Sequence, residues 1–350
     1  MSVRTILGKE KMQHLEHLWK KGRTFLGVRY PIIAGAMTWI SDSQFVSAVC
    51  NEGAFGCLAA GNMEPDLFDA EIKKTKELTN KPFAVNLITI APHYKQHLDV
   101  AVDNKIPFIV FAGSYPRKPE IEHAKASGAR VLSFASTESL THRLVDMGVD
   151  ALILEGSEAG GHVGYVSLGI LLQQVLFKVD RVPVFVAGGI ATGEYMAHLL
   201  LMGAAGVQLG TFFVLTEECQ THPKFKEAFI RARARDAIST PQIGSDLKVV
   251  AVRALRNKGH ESFSDLQIDL IGKRKRREIS HSEAQYKVEV YWTGALRRAV
   301  KDGDVEMGSL MAGQSVGLVD KIRPLKKALQ LLIENAVKEL EEVRKRCQIP

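Results

Sequence analysis

The 350-residue chain predicts an α/β fold: a (β/α)₈ TIM barrel with a smaller cap or insertion region after strand 8. Two patterns carry that prediction. Eight short apolar runs recur, near-continuously apolar rather than alternating, as strands of a parallel sheet covered on both faces read. Amphipathic segments separate them in the strand–helix order that a closed parallel barrel requires. A third observation bounds the barrel: the rhythm stops after Phe213. An open doubly wound sheet shares the rhythm and differs by a switch in strand order, which a sequence does not display.

The apolar runs span residues 31–37, 54–60, 82–89, 108–113, 130–136, 151–157, 183–189 and 206–213. Between them, residues 42–51 open on the capping-type Asp42, and residues 65–79 set Leu67, Ile72 and Leu78 among charges. Residues 137–147 open on a threonine cap and place Leu140, Leu144 and Met147 on one face. Beyond the barrel, residues 221–234 read as a helix, whereas 236–308 are mixed and polar. The chain returns through Leu310-Met311-Ala312-Gly313-Gln314 and ends in an amphipathic helix over about 323–347, striped by Leu325, Leu329, Leu332, Ala336 and Leu340. The expected organisation is an N-terminal extension over 1–25, a barrel over 26–216, a cap over 217–308, and a returning segment with a terminal helix packing on the barrel over 309–350.

A hydrophobic content of 46% and a charged content of 24% are those of a globular protein with a sizeable core. The net charge of +7 favours anionic ligands or an acidic partner. No basic stretch interleaved with aromatics points to nucleic acid. Cys50, Cys57, Cys219 and Cys347 form no Cys-x-x-Cys pair and read as reduced thiols. Residues 1–23 lack an apolar signal core, and no apolar run approaches the ~20 residues that span a bilayer. A cytoplasmic protein with no membrane association is expected. No metal-ligand spacing and no Gly-x-Ser-x-Gly occur.

The residues able to carry chemistry cluster at strand ends. Glu155-Gly156-Ser157-Glu158-Ala159-Gly160-Gly161-His162-Val163-Gly164 follows the sixth run. It sets one imidazole, whose ordinary pKa suits proton transfer, among glycines that let backbone approach a ligand. Glu155 and Glu158 are either its orienting acids or ordinary loop acids. Gly188-Gly189 ends the seventh run and Gly210-Thr211 lies in the eighth, where barrels often build a phosphate site from backbone N–H groups. Asn86, an amide inside an apolar strand, needs partners from an internal network or from a ligand. The run Lys273-Arg274-Lys275-Arg276-Arg277 is a solvated face or a dock for an acidic carrier or phosphorylated substrate tail.

Several of these motifs, in order, resemble one family. Tyr30-Pro31-Ile32-Ile33-Ala34-Gly35-Ala36-Met37 is similar to its opening strand, and Lys81-Pro82-Phe83-Ala84-Val85-Asn86 to its Pro-Phe-Gly-Val-Asn motif. Glu158 to Gly164 resembles its catalytic loop. Ala187-Gly188-Gly189-Ile190 and Gly203-Ala204 through Gly210-Thr211 resemble its phosphate-binding strands. Met311-Ala312-Gly313-Gln314 with Gly317-Leu318 resembles its carboxyl-terminal signature. The family is the nitronate monooxygenases (2-nitropropane dioxygenases), including the FMN-dependent enoyl-acyl-carrier-protein reductase II. The resemblance covers residues 26–340 and implies an FMN-binding TIM barrel. By resemblance, Gly35, Ala36 and Met37 line the flavin ring and Asn86 hydrogen-bonds it. Gly161, Gly188, Gly189, Gly210 and Thr211 hold the phosphate region, with Glu155 and Gly160 counted among the cofactor-binding residues. Gln314 approaches from the returning segment, and His162 is catalytic. Two departures stand out. The family's Gln-Gly-Gly-Met is Ala34-Gly35-Ala36-Met37 here, which puts a methyl group near the ring. Its Gly-Thr-Arg-Phe is Gly210-Thr211-Phe212-Phe213, which removes an arginine.

The resemblance implies first a flavoprotein that oxidises alkyl nitronates with dioxygen, His162 acting as base toward a neutral nitroalkane. The alternative is NADH- or NADPH-dependent reduction of trans-2-enoyl thioesters in fatty-acid synthesis, with acyl carrier protein as a partner and His162 or water supplying a proton. Residues 293–300 and 303–305 look closer to the reductase. A third reading is a phosphate-binding barrel isomerase or lyase without flavin. A homodimer would follow from an exposed apolar stripe on the last helix, and periodicity does not show exposure.

Overall fold

The computed structural model describes residues 9–61, 63–241, 243, 247 and 251–348; residues 1–8 of the N-terminal extension lie outside them. Six strands come first: β1 (Ile32–Ala34), β2 (Phe55–Ala59), β3 (Ala84–Ile88), β4 (Phe108–Ala112), β5 (Arg130–Ala135) and β6 (Ala151–Glu155). A short strand, β7 (Gly161–Val163), stands outside the barrel, and β8 (Val184–Ala187) and β9 (Gly206–Leu209) complete it. The eight barrel strands are parallel, ordered β1-β2-β3-β4-β5-β6-β8-β9, and β9 closes onto β1 through Ile33↔Gln208. The architecture is thus the closed barrel, with no strand-order switch.

Each barrel strand lies inside one predicted apolar run and is shorter than it, for local reasons. Gly188 and Gly189 take φ of +95° and +71° and leave the sheet at the end of β8. The eighth run stops being strand at Leu209, because Gly210 turns the chain into the short helix Thr211–Val214. The near-continuous apolarity is explained by two cores. Ile33, Phe55, Cys57, Phe108, Leu132, Ile153 and Phe185 fill the barrel, while Ile32, Leu58, Val85, Ile109, Val131, Leu152 and Val186 pack outward in the core shared with the surrounding helices.

The N-terminal helix Lys20–Leu26 plugs the lower end of the barrel. Leu26 belongs to the interior cluster, and the Phe25 ring stands 5.9 Å from Phe108 and 6.1 Å from Phe185. The helix start at Ser43 is capped by the Asp42 carboxylate, which accepts from Phe45 N at 3.0 Å, and Thr137 caps Glu138–Asp146 by accepting from Leu140 N at 3.2 Å. At the other end of the chain, Leu325–Arg346 buries its apolar stripe against the helix Gly193–Leu201. A Cβ on Gly193 would stand 2.1 Å from Leu332 O, so the two helices meet at backbone distance. The stripe is spent within the chain and leaves no apolar dimer face there.

The cap is more ordered than its composition foretells. β10 (Ala237–Ser239) and β11 (Ala251–Leu255) join β7 in an antiparallel sheet ordered β10-β11-β7, with Val252 opposite His162. Two long helices follow, Lys258–Lys275 and His281–Arg297. Asn257 caps the first, and Ser280 with Glu283 forms a capping box on the second. Phe263, Leu270, Val288 and Trp292 build a separate small core between them. In the basic run, Lys273 pairs with Asp269 at 2.7 Å and Arg276 with Glu278 at 2.5 Å, so much of that charge is neutralised locally. Among the described residues, no helix is long and apolar enough to cross a membrane.

Closure between β9 and β1 has no slack. A Cβ on Gly206 would stand 2.2 Å from Pro31 O, whereas one on Gly169 meets nothing within 4 Å. Gly206→Ala is expected to destabilise the fold by about 2–3 kcal/mol or more, and Gly169→Ala to stabilise it by up to ~1 kcal/mol. Urea unfolding of the two variants checks both; equal midpoints would refute the closure argument.

A candidate active site at the mouth of the barrel

The carboxyl ends of the strands and the underside of the cap enclose a cavity of about 1000 Å³. Of the residues singled out in the sequence, Gly35, Ala36, Met37, Asn86, Glu155 and Gly160 line it, as do Gly161, His162, Gly188, Gly189, Gly210 and Thr211. Gln314 does not. Its neighbours Gly313 and Ser315 do, while its own backbone N–H donates to Glu158 O at 2.9 Å.

The loop after β6 is fixed by its surroundings. Gly156 N donates to Ala187 O at 3.1 Å, and the Glu158 carboxylate accepts from Leu168 N at 2.9 Å. Glu158 is therefore a loop anchor rather than the acid that orients His162. Gly160 must be glycine because the returning segment crosses it: a Cβ there would lie 2.5 Å from Gly313 N. Thr211 Oγ1 accepts from Gly313 N at 2.9 Å and ties the same segment to β9's end. At Gly188, an added Cβ would meet Gly156 O at 2.9 Å, whereas at Gly210 it would meet only Met37 Sδ at 4.0 Å. The glycine cradle is packed on one side and open on the other.

The acid beside His162 comes from the cap. Nε2 of His162 lies 3.2 Å from Oε1 of Glu289, on the helix His281–Arg297, with the side chains 23% and 16% exposed. The contact pairs the imidazole with a carboxylate at ion-pair distance. Burial works to lower the imidazole's pKa; the Glu289 carboxylate outweighs it, and the net direction is upward. His162 therefore stays protonated to higher pH than an ordinary histidine.

Three polar side chains reach the cavity from the barrel strands themselves. Asn86, in the middle of β3, and Gln208 in β9 are both buried, and neither side chain has a hydrogen-bond partner among the described residues. Glu155 closes β6, and burial pushes its carboxyl up to about 8. Amides that both donate and accept, beside a neutral carboxyl, fit the polar edge of a flat heteroaromatic ring. The open glycine at Gly210 and the left-handed Gly189 beside it in the cavity wall fit a phosphate. At the two departures from the family pattern, Ala36 reaches the barrel-interior core, and Phe212 packs edge-on to Phe213 at 5.3 Å without lining the cavity.

Sequence reasoning missed Glu289, Trp292 and Gln208. Gln208 carries the same signal as Asn86, an amide in an apolar strand. Glu289 and Trp292 come from the cap, and only the fold brings them to the loop after β6.

Comparison with known proteins identifies the family of the chain. The nitronate monooxygenase family model matches residues 20–95 and 88–335. FabK from Thermotoga maritima is 32% identical with a TM-score of 0.82, covering 93% of this chain and 98% of that one. Nitroalkane oxidase from Streptomyces ansochromogenes is 26% identical with a TM-score of 0.75, covering 92% and 99%. A (3aS,4S,5R,7aS)-5-hydroxy-7a-methyl-1-oxo-octahydro-1H-indene-4-carboxyl-CoA dehydrogenase from Mycobacterium tuberculosis is 28% identical, covering 90% of this chain and 95% of the relative.

Glu155 makes folding depend on pH. Its folded pKa of about 8 stands above the ordinary 4.5, so the folded state holds a proton that the unfolded chain releases. The resulting stability is full below 4.5 and is lost as pH rises through about 8. Glu155→Gln should flatten that loss, read as the difference in unfolding free energy between about pH 6 and about pH 9. An unchanged difference would refute the assignment.

Proposed function

The chain belongs to the nitronate monooxygenase (2-nitropropane dioxygenase) flavoenzyme superfamily, which includes FabK-type enoyl-acyl-carrier-protein reductase II homologues, and from that premise we propose that it is an FMN-dependent reductase of α,β-unsaturated acyl thioesters. The observation that carries the reading is the His162–Glu289 contact. A carboxylate that favours the charged imidazole over the neutral one suits it to donate a proton rather than to take one. Reduction of a carbon–carbon double bond next to a thioester consumes one such proton. Abstraction of a proton from a nitroalkane needs the neutral imidazole instead, which Glu289 disfavours. A dehydrogenase relative named for a coenzyme A thioester supports the same substrate class.

Bound FMN would supply the hydride chemistry. Gly188, Gly189, Gly210 and Thr211 would hold its phosphate. Gly35, Ala36 and Met37 would line the ring, and the free amides of Asn86 and Gln208 would bond its polar edge. Glu155, neutral at pH 7, is a donor there. His162, with Glu289 against Nε2, is the proton donor. Trp292 and the rest of the cap exclude water from that transfer.

A second reading keeps nitronate as substrate, since an imidazolium also attracts an anionic nitronate. Anaerobic mixing of the holoprotein separates the two. Bleaching of the yellow protein by NADH or NADPH, reversed by a crotonyl thioester, is expected; bleaching by nitronate and by neither nicotinamide would overturn the thioester reading. Protein that binds no flavin would sink both. His162→Ala should keep flavin and lower kcat by about 10²-fold or more. In wild type, kcat should fall as pH rises through the raised His162 pKa. Glu289→Gln should move that fall to lower pH; an unmoved profile would remove Glu289 from its positioning role.

A further inference from the structure

The helix Glu138–Asp146 presents one guanidinium at the rim of the cavity that nothing above uses. Leu140 lines the cavity, and Arg143 follows it by three residues, on the same side of the helix. The Arg143 guanidinium carbon sits 4.5 Å from the centroid of the Tyr115 ring, and Tyr115 also lines the cavity. Stacking on an aromatic face pins a side chain that would otherwise sweep through solvent.

The charge of Arg143 is not spent. The acids of its own helix are engaged elsewhere, Glu138 with Lys178 at 2.9 Å and Asp146 with Arg181 at 3.0 Å. No carboxylate among the described residues pairs with Arg143. Among the described residues, no lysine or arginine lines the cavity itself. A pinned, unneutralised guanidinium therefore stands just outside the cavity, and Tyr115 bridges the two. Arginine in that state recognises phosphate, in a geometry that lysine does not reproduce.

Resting on the thioester reading, we propose that Arg143 and Tyr115 form a rim site for the phosphate of the substrate's carrier arm, the phosphopantetheine shared by coenzyme A and acyl carrier protein. The acyl part enters the apolar cavity, the pantetheine arm crosses the rim, and its phosphate ends on Arg143. The pyrophosphate of NADH or NADPH has the same chemistry and is the other source of such a group.

Equilibrium binding to the holoprotein tests this without turnover. The probes are pantetheine, 4′-phosphopantetheine, coenzyme A, NADH and NADPH, measured by calorimetry on wild type, Arg143→Ala, Arg143→Gln and Tyr115→Leu. Wild type should bind phosphopantetheine about tenfold or more tighter than pantetheine, as expected for a hydrogen bond to a charged group. Both arginine variants should erase that ratio while leaving the pantetheine Kd unchanged, and added salt should shrink it. Tyr115→Leu should reduce it in part. Equal binding of the two probes by wild type overturns the proposal. So does a ratio that survives in both arginine variants. Loss of dinucleotide affinity alone assigns the phosphate to the nicotinamide and overturns the carrier-arm assignment. The reading beneath fails separately: an Arg143-dependent ratio without thioester turnover leaves the rim site standing and removes the reductase.

Discussion

The loop between Glu155 and Gly164 has almost no side-chain mass with which to hold itself, and the rest of the site depends on how it is nonetheless held. Its glycines give close approach but lose more freedom on folding than any other residue. Besides the Glu158 carboxylate, which accepts from Leu168 N, the loop is fastened at its backbone from three directions. β8 accepts Gly156 N, the returning segment donates Gln314 N to Glu158 O, and β11 pairs with β7 across His162. Arg253 adds a knot beneath, donating from Nε to Ser157 O at 3.0 Å and from Nη1 to Ala237 O at 2.6 Å. No single attachment sets the imidazole's position. It is inherited from the barrel, the cap and the returning segment together.

One consequence is that the cap takes part in the chemistry rather than merely covering it. Glu289, which sets the charge on His162, stands on a cap helix. The same helix is latched to the other side of the barrel mouth by Trp39, whose Nε1 donates to Thr293 O at 3.0 Å. Trp39 holds φ of +67°, a left-handed conformation that a bulky side chain adopts only where its surroundings enforce it. The strain and the hydrogen bond sit in one residue.

The barrel was legible in the sequence because parallel strands buried on both faces write themselves as unbroken apolar runs, and each of the eight strands lies inside such a run. The glycines at Gly188, Gly189 and Gly161 were legible because positive φ leaves few other residues possible. The cap was not. Its helices bury His260 and Gln267 and expose Ile268, so no clean apolar face repeats along them. β7 and β11 are short strands separated by most of the barrel's last third, and a pairing of that kind leaves no local trace. Glu289 was hidden for the same reason. As an acid on a polar helix it looks like any solvated charge, and only the fold carries it to His162.

The inner lining of the barrel changes character in its last layer, and that change is itself an argument about what the cavity is for. Below, the interior is Ile33, Phe55, Phe108, Ile153 and Phe185, packed as a core. At the mouth stand Asn86, Gln208 and Glu155, two amides without partners and a carboxyl that burial keeps neutral near pH 7. An apolar residue at any of these positions would continue the core; the polar groups instead offer donors and acceptors to the polar edge of a ligand. A ligand that meets them binds the folded chain alone, so affinity and folding are linked through the same atoms. The specificity of the mouth thus resides in the layer where His162 and the glycine cradle meet.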